Sequence, residues 1–149
     1  MDLILVASDA PSVRREVAAA IDGPEVEVDQ VSSGPAVLEA VRQDDYELVI
    51  LDMQMGSMGG MATCLDLRLE ETYLDTGHVP VLMLLDRRPD VFLARRSGAE
   101  GWLVKPLDPL RLRRAAAALL DGGTYHDLSY QPVPVLVGGS SALDPASGG

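Results

Sequence analysis

The chain of 149 residues is poor in cysteine, lysine and aromatic side chains, with one Cys, one Phe, one Trp and a sole lysine, Lys105, among twelve basic residues. With Cys64 alone, there is no intramolecular disulfide framework and no thiolate cluster for zinc, which fits a reducing cytoplasm. No apolar stretch approaches the roughly 18 residues read as a membrane span. The opening "MDLILVASDAP" has no basic n-region and is too short for a secretory signal. A soluble, cytoplasmic protein without membrane attachment is expected. Bases are also scarce against acids, 12 to 23, giving a formal charge of −11. That sign repels phosphate backbones and argues against direct nucleic-acid binding.

What is present is a regular alternation. Short apolar runs at "LILVA" (3–7), "VEVDQV" (26–31), "ELVILD" (47–52), "VPVLMLL" (79–85) and "GWLVK" (101–105) read as strands. Between them, "PSVRREVAAAI", "PAVLEAVRQ", "GMATCLDLRLEE", "PDVFLARRSG" and "PLRLRRAAAALLDGG" carry helical spacing, with Pro11 at a favoured first-turn position and glycines closing the last helix. Near-continuous apolar strands alternating with helices imply a parallel sheet between two helix layers, over residues 1–121. After Gly122 the composition turns to Gly, Ser and Pro without helical period. Residues 122–149 are expected to be a tail, mostly disordered, whose "VPVLV" segment is an alternative edge strand or groove ligand.

In such a sheet, chemistry gathers beyond the carboxyl ends of the strands. The first strand ends at Asp9, the third at Asp52, the fourth at Asp86 and the fifth at Lys105. Asp9 and Asp52 suit a hard divalent cation such as Mg²⁺, which takes oxygen ligands and keeps several waters. Lys105, at the end of an apolar strand, needs a partner, either Asp52 or a bound phosphoryl oxygen.

With these residues in place, the chain resembles the receiver domain of two-component response regulators over residues 2–121. "LDMQMGSMGG" looks like that family's phosphoacceptor loop, and "GAEGWLVKPLDPLRL" looks like its fifth strand, Lys-Pro pair and last helix. The resemblance implies a flavodoxin-like (βα)5 doubly wound parallel sheet in strand order 2-1-3-4-5. It implies Asp52 as phosphoacceptor, Lys105 as the cation that meets the phosphoryl group, and a cis Lys105-Pro106 bond. Asp9, Asp52 and the Gln54 backbone carbonyl would hold Mg²⁺. Trp102 falls where the family has an aromatic that changes orientation on activation, with a plain buried strand residue as the other reading.

Three positions depart from the pattern. Ser8 stands where the family has the first acid of a pair, so it reaches the metal only through a water, and Mg²⁺ binding is expected to be weakened. Leu85 replaces the switch hydroxyl at the end of the fourth strand. A hydrogen bond to a charged group contributes about 1.5–3 kcal/mol, so phosphorylation is expected to couple weakly to conformation. Gly56 replaces a proline in the acceptor loop. Asp86 is expected to point to the surface, paired with Arg87 or Arg88, or else to add negative charge beside Asp52.

The expected function is a stand-alone, atypical bacterial response regulator, a phosphoprotein more than an enzyme, at most transferring and slowly hydrolysing its own phosphoryl group. Its partners would be a sensor histidine kinase or phosphotransfer protein and a downstream protein or second copy. Arg95, Arg96, Arg111, Arg113 and Arg114, on the fourth and fifth helices, would form the face for that partner. The alternative keeps the fold but replaces phosphorylation by protein or small-molecule binding. A dinucleotide site is excluded because "VASDAP" contains no glycine.

Overall fold

The computed structural model describes residues 1–75 and 77–127. Strands β1 (Asp2–Ala7), β2 (Val26–Val31), β3 (Leu48–Asp52), β4 (Val81–Leu85) and β5 (Gly101–Val104) alternate with helices α1 (Pro11–Ile21), α2 (Gly34–Gln43), α3 (Gly60–Tyr73), α4 (Asp90–Arg96) and α5 (Pro109–Leu120). Every strand pairing is parallel, and the order is β2-β1-β3-β4-β5 with a sixth strand, β6 (Tyr125–His126), at the outer edge of β5. This is the flavodoxin-like arrangement expected from the sequence, extended by one strand.

Period-two alternation divides the core. Leu5, Ala7, Val49, Leu51, Val81, Met83 and Leu85 face Val37, Cys64, Leu67 and Ala94, from α2, α3 and α4. Ile4, Val6, Leu48, Ile50, Leu82, Leu84 and Leu103 face Val17 and Ile21 of α1 and Leu112, Ala115 and Leu119 of α5. Because β3 and β4 are buried along their whole length, they read as unbroken apolar runs.

The helix ends follow local chemistry. Ser33 caps α2 by accepting from the Ala36 N–H, and Asp108 caps α5 by accepting from the Leu110 N–H. Pro11, Pro35 and Pro109 occupy first-turn positions, where a missing N–H is harmless. At the far end of α5, Gly122 adopts φ +86, its N–H reaches Leu119 O at 3.1 Å, and the Gly123 N–H reaches Ala118 O at 2.8 Å. This paired closure turns the chain back along β5 and sets up β6. The early part of the expected tail therefore belongs to the sheet. The "VPVLV" segment and the rest of the tail lie outside the described residues.

Candidate functional site

The carboxyl ends of β1, β3, β4 and β5 bring the polar residues together. Asp52 ends β3 and is only 2% exposed. Its Oδ1 accepts from Lys105 Nζ at 2.9 Å and from the Gln54 N–H at 3.3 Å, and its Oδ2 accepts from the Ser8 hydroxyl at 2.7 Å. A buried carboxylate this well supplied with donors is tolerated where an unpaired one would be costly. Ser8 is fully buried, and its hydroxyl oxygen in turn accepts from the Ala10 N–H. Arg14 Nη1 donates to the Ser8 carbonyl at 2.6 Å, holding the turn after β1 from the first helix.

Asp9 is exposed, and its Oδ2 accepts from the Gly56 N–H at 2.9 Å. The loop after β3 thus touches both carboxylates, Asp52 through Gln54 and Asp9 through Gly56. The backbone of α3 closes on the same place. A Cβ at Gly60 would come within 2.5 Å of the Asp52 carbonyl oxygen, so only glycine lets the helix start there.

Lys105 Nζ also donates to Asp86 Oδ1 at 3.0 Å. Asp86 is exposed, as expected, and it also shares the chain's sole lysine with Asp52. Burial opposes the Lys105 charge, but hydrogen bonds to Asp52 and Asp86 outweigh it and hold the pKa above the ordinary lysine value. Arg87 pairs instead with Asp90, at 3.3 Å. The Lys105-Pro106 bond is cis.

Leu85 is fully buried and packs with the α2–α4 side of the core, offering no polar atom at the end of β4. Trp102 is 3% exposed and turned inward, stacked on His126 with the guanidinium of Arg95 5.5 Å from its ring centroid. Of the predicted basic face, Arg95, Arg96, Arg113 and Arg114 are exposed, while Arg111 lies 3.4 Å from Asp127. His126 and Asp127 are residues that sequence reasoning missed. The one available signal was the "TYHD" stretch just beyond the helix-ending glycines.

Asp9, Asp52 and the Gln54 main-chain carbonyl would offer oxygen donors only, a set that suits a hard cation retaining waters and does not suit zinc. Among the described residues no group of three or more His, Cys, Asp or Glu side chains is arranged to hold a metal. No helix among the described residues is long and apolar enough to cross a membrane.

Residues 4–117 match the family model of the response regulator receiver domain. The response regulator PleD of Caulobacter vibrioides is 29% identical over 153 residues, covering 97% of this chain and 33% of that protein. The DNA-binding response regulator MtrA of Mycolicibacterium smegmatis is 33% identical over 111 residues, 73% of this chain and 46% of its own length. An uncharacterized response regulatory protein of Mycobacterium tuberculosis is 32% identical over 123 residues, 78% of this chain and 90% of that one. The chain thus spans a third to about half the length of the first two of these relatives. Among solved structures, the chemotaxis response regulator CheY4 of Vibrio cholerae superposes with a TM-score of 0.71 at 26% identity, over 80% of this chain and 98% of that one.

Proposed function

This chain belongs to the response regulator receiver domain family, and from that premise we propose that Asp52 is its phosphoacceptor. Receiver domains are signalling modules of two-component systems, and the family generally binds Mg²⁺ at its phosphorylation site. The carrying observation is the buried Asp52 carboxylate, held between Lys105 Nζ at 2.9 Å and the Ser8 hydroxyl at 2.7 Å at the carboxyl end of β3.

In the proposed reaction an Asp52 oxygen attacks the phosphorus of a partner's phosphohistidine. The P–N bond breaks, the imidazole leaves with its electron pair, and an acyl phosphate remains on Asp52. Lys105 must follow the charge from the carboxylate to the phosphoryl oxygens, which its partly exposed position at the end of β5 permits. Asp9, Asp52 and the Gln54 carbonyl are the proposed holders of Mg²⁺, which supplies charge neutralisation at the phosphoryl group when bound. Ser8 offers a hydroxyl in place of a second acid. The partner supplying the phosphoryl group is proposed to be a sensor histidine kinase or phosphotransfer protein. The exposed Arg95, Arg96, Arg113 and Arg114 are proposed to face a downstream partner or second copy.

Incubation with Mg²⁺ and a small phosphodonor, followed by intact mass measurement, tests this reading. One added phosphoryl group is expected, absent in Asp52→Asn. An unmodified wild-type chain under conditions that phosphorylate another receiver rejects it. A second reading, binding without phosphorylation, is favoured by one observation: the fully buried Leu85 gives the end of β4 no hydroxyl to grip a phosphoryl oxygen. Unchanged partner binding by Asp52→Asn would select that reading.

A further inference from the structure

Trp102 is the only tryptophan of the chain and lies on β5, one strand from the sheet edge. Its cover comes from the residues just after α5. The His126 ring stacks on it with centroids 4.1 Å apart and planes 8° from parallel. One residue on, Asp127 is 5% exposed; its Oδ2 accepts from the Val104 N–H at 3.1 Å, and Arg111 Nη1 lies 3.4 Å from both of its oxygens. The seat is close, since a Cβ at Gly101 would fall 2.8 Å from the Tyr125 carbonyl oxygen.

A two-residue strand has too short a ladder to hold itself in place. The ring and the carboxylate supply the grip, and both are side-chain features that another extended segment can carry. The Gly122-Gly123 turn that delivers the strand meets open space at Gly122 and gives it a pivot.

We propose that the outer edge of β5 is a docking groove for an extended segment bearing a flat ring followed by a carboxylate, and that residues 124–127 occupy it as a displaceable internal ligand. A partner strand of the same order competes by strand addition: its ring lies on Trp102, and its acid takes the Val104 N–H and Arg111. Arg95 beside the ring adds to the preference for an acidic, aromatic segment. None of this requires phosphorylation of Asp52.

Emission of the sole tryptophan reads the groove directly in the full chain. The double variant His126→Ala with Asp127→Ala is expected to show red-shifted emission and severalfold stronger acrylamide quenching, with its far-UV circular dichroism unchanged. A synthetic peptide of residues 122–127 added in trans should reverse both changes, and the same peptide with alanine at the His126 and Asp127 positions should not. Wild-type quenching in a folded double variant overturns the proposal, as does equal protection by both peptides. Should the double variant unfold, Asp127→Asn in the full chain must show an intermediate rise in quenching, and no rise overturns the proposal equally.

Discussion

At the amino ends of β4 and β5, Arg68 and His78 meet Glu71 and Glu100, whereas at the carboxyl ends Lys105 meets Asp52 and Asp86. The first network is closed. Both oxygens of Glu71 and of Glu100 accept hydrogen bonds or face a His78 ring nitrogen, and Arg68 also donates to the carbonyls of Gly98 and Val79. It ties α3 to the strand starts, its charges matched within the network. The second network is open: one ammonium serves two carboxylates, and Asp9 adds a third negative charge held only by a backbone N–H in the described structure. Such an imbalance of charge suits the cation proposed for this end of the sheet.

Substitutions at the two ends should separate these roles. The largest effect is expected for Lys105→Met, which lowers phosphoryl uptake by about 100-fold or more, because the transferring group loses its fixed cation; intact mass against time measures it. Arg68→Ala should leave that uptake unchanged and lower stability by about 3 kcal/mol, since it strips donors from two carboxylates and two carbonyls. Urea unfolding reads the loss, and a matching loss of phosphoryl uptake would erase the distinction between the ends. Ser8→Asp should tighten Mg²⁺ binding about tenfold by restoring a carboxylate beside the metal holders, measured by calorimetric titration, while lowering the melting temperature in the metal-free protein.

The smallest effect is one of pH. Because the folded pKa of Lys105 is raised above its ordinary value of 10.5, its contribution to stability is complete below that value and disappears as pH climbs through the higher folded one. Relative to their own stabilities at neutral pH, Lys105→Met should therefore tolerate alkali further than Arg68→Ala, which still carries the lysine whose contribution is lost. Equal alkaline limits would show that the lysine pairing contributes nothing.

The sheet was legible because β1, β3, β4 and β5 are apolar enough to announce themselves, and the acids at their ends fall where a change of periodicity stops the run. The start of α1 was readable from Pro11, whose effect is confined to the first turn, whereas the Ser33 and Asp108 caps came only with the structure. Beyond the Lys105–Asp52 pairing, long-range pairings were not readable. That Ser8 bonds Asp52 directly, that Asp86 turns to Lys105, and that Asp127 seals the Val104 N–H all depend on side-chain directions set by the assembled sheet. Likewise β6 is too short to show a period of two, and its grip comes from a ring stack that no local pattern encodes.

One consequence follows from the close fit of Gly60 under the Asp52 carbonyl. The Gly60 N–H donates to Met53 O at 3.0 Å, and the Met53 N–H is itself fixed to Leu84 O at 2.8 Å. The loop after Asp52 is thus a bow strung between two fixed nocks, one on β4 and one on α3. The stretch between these anchors runs from Gln54 to Gly59, so exchanges there are expected to reshape the entrance to Asp52 while the depth of its carboxylate stays constant.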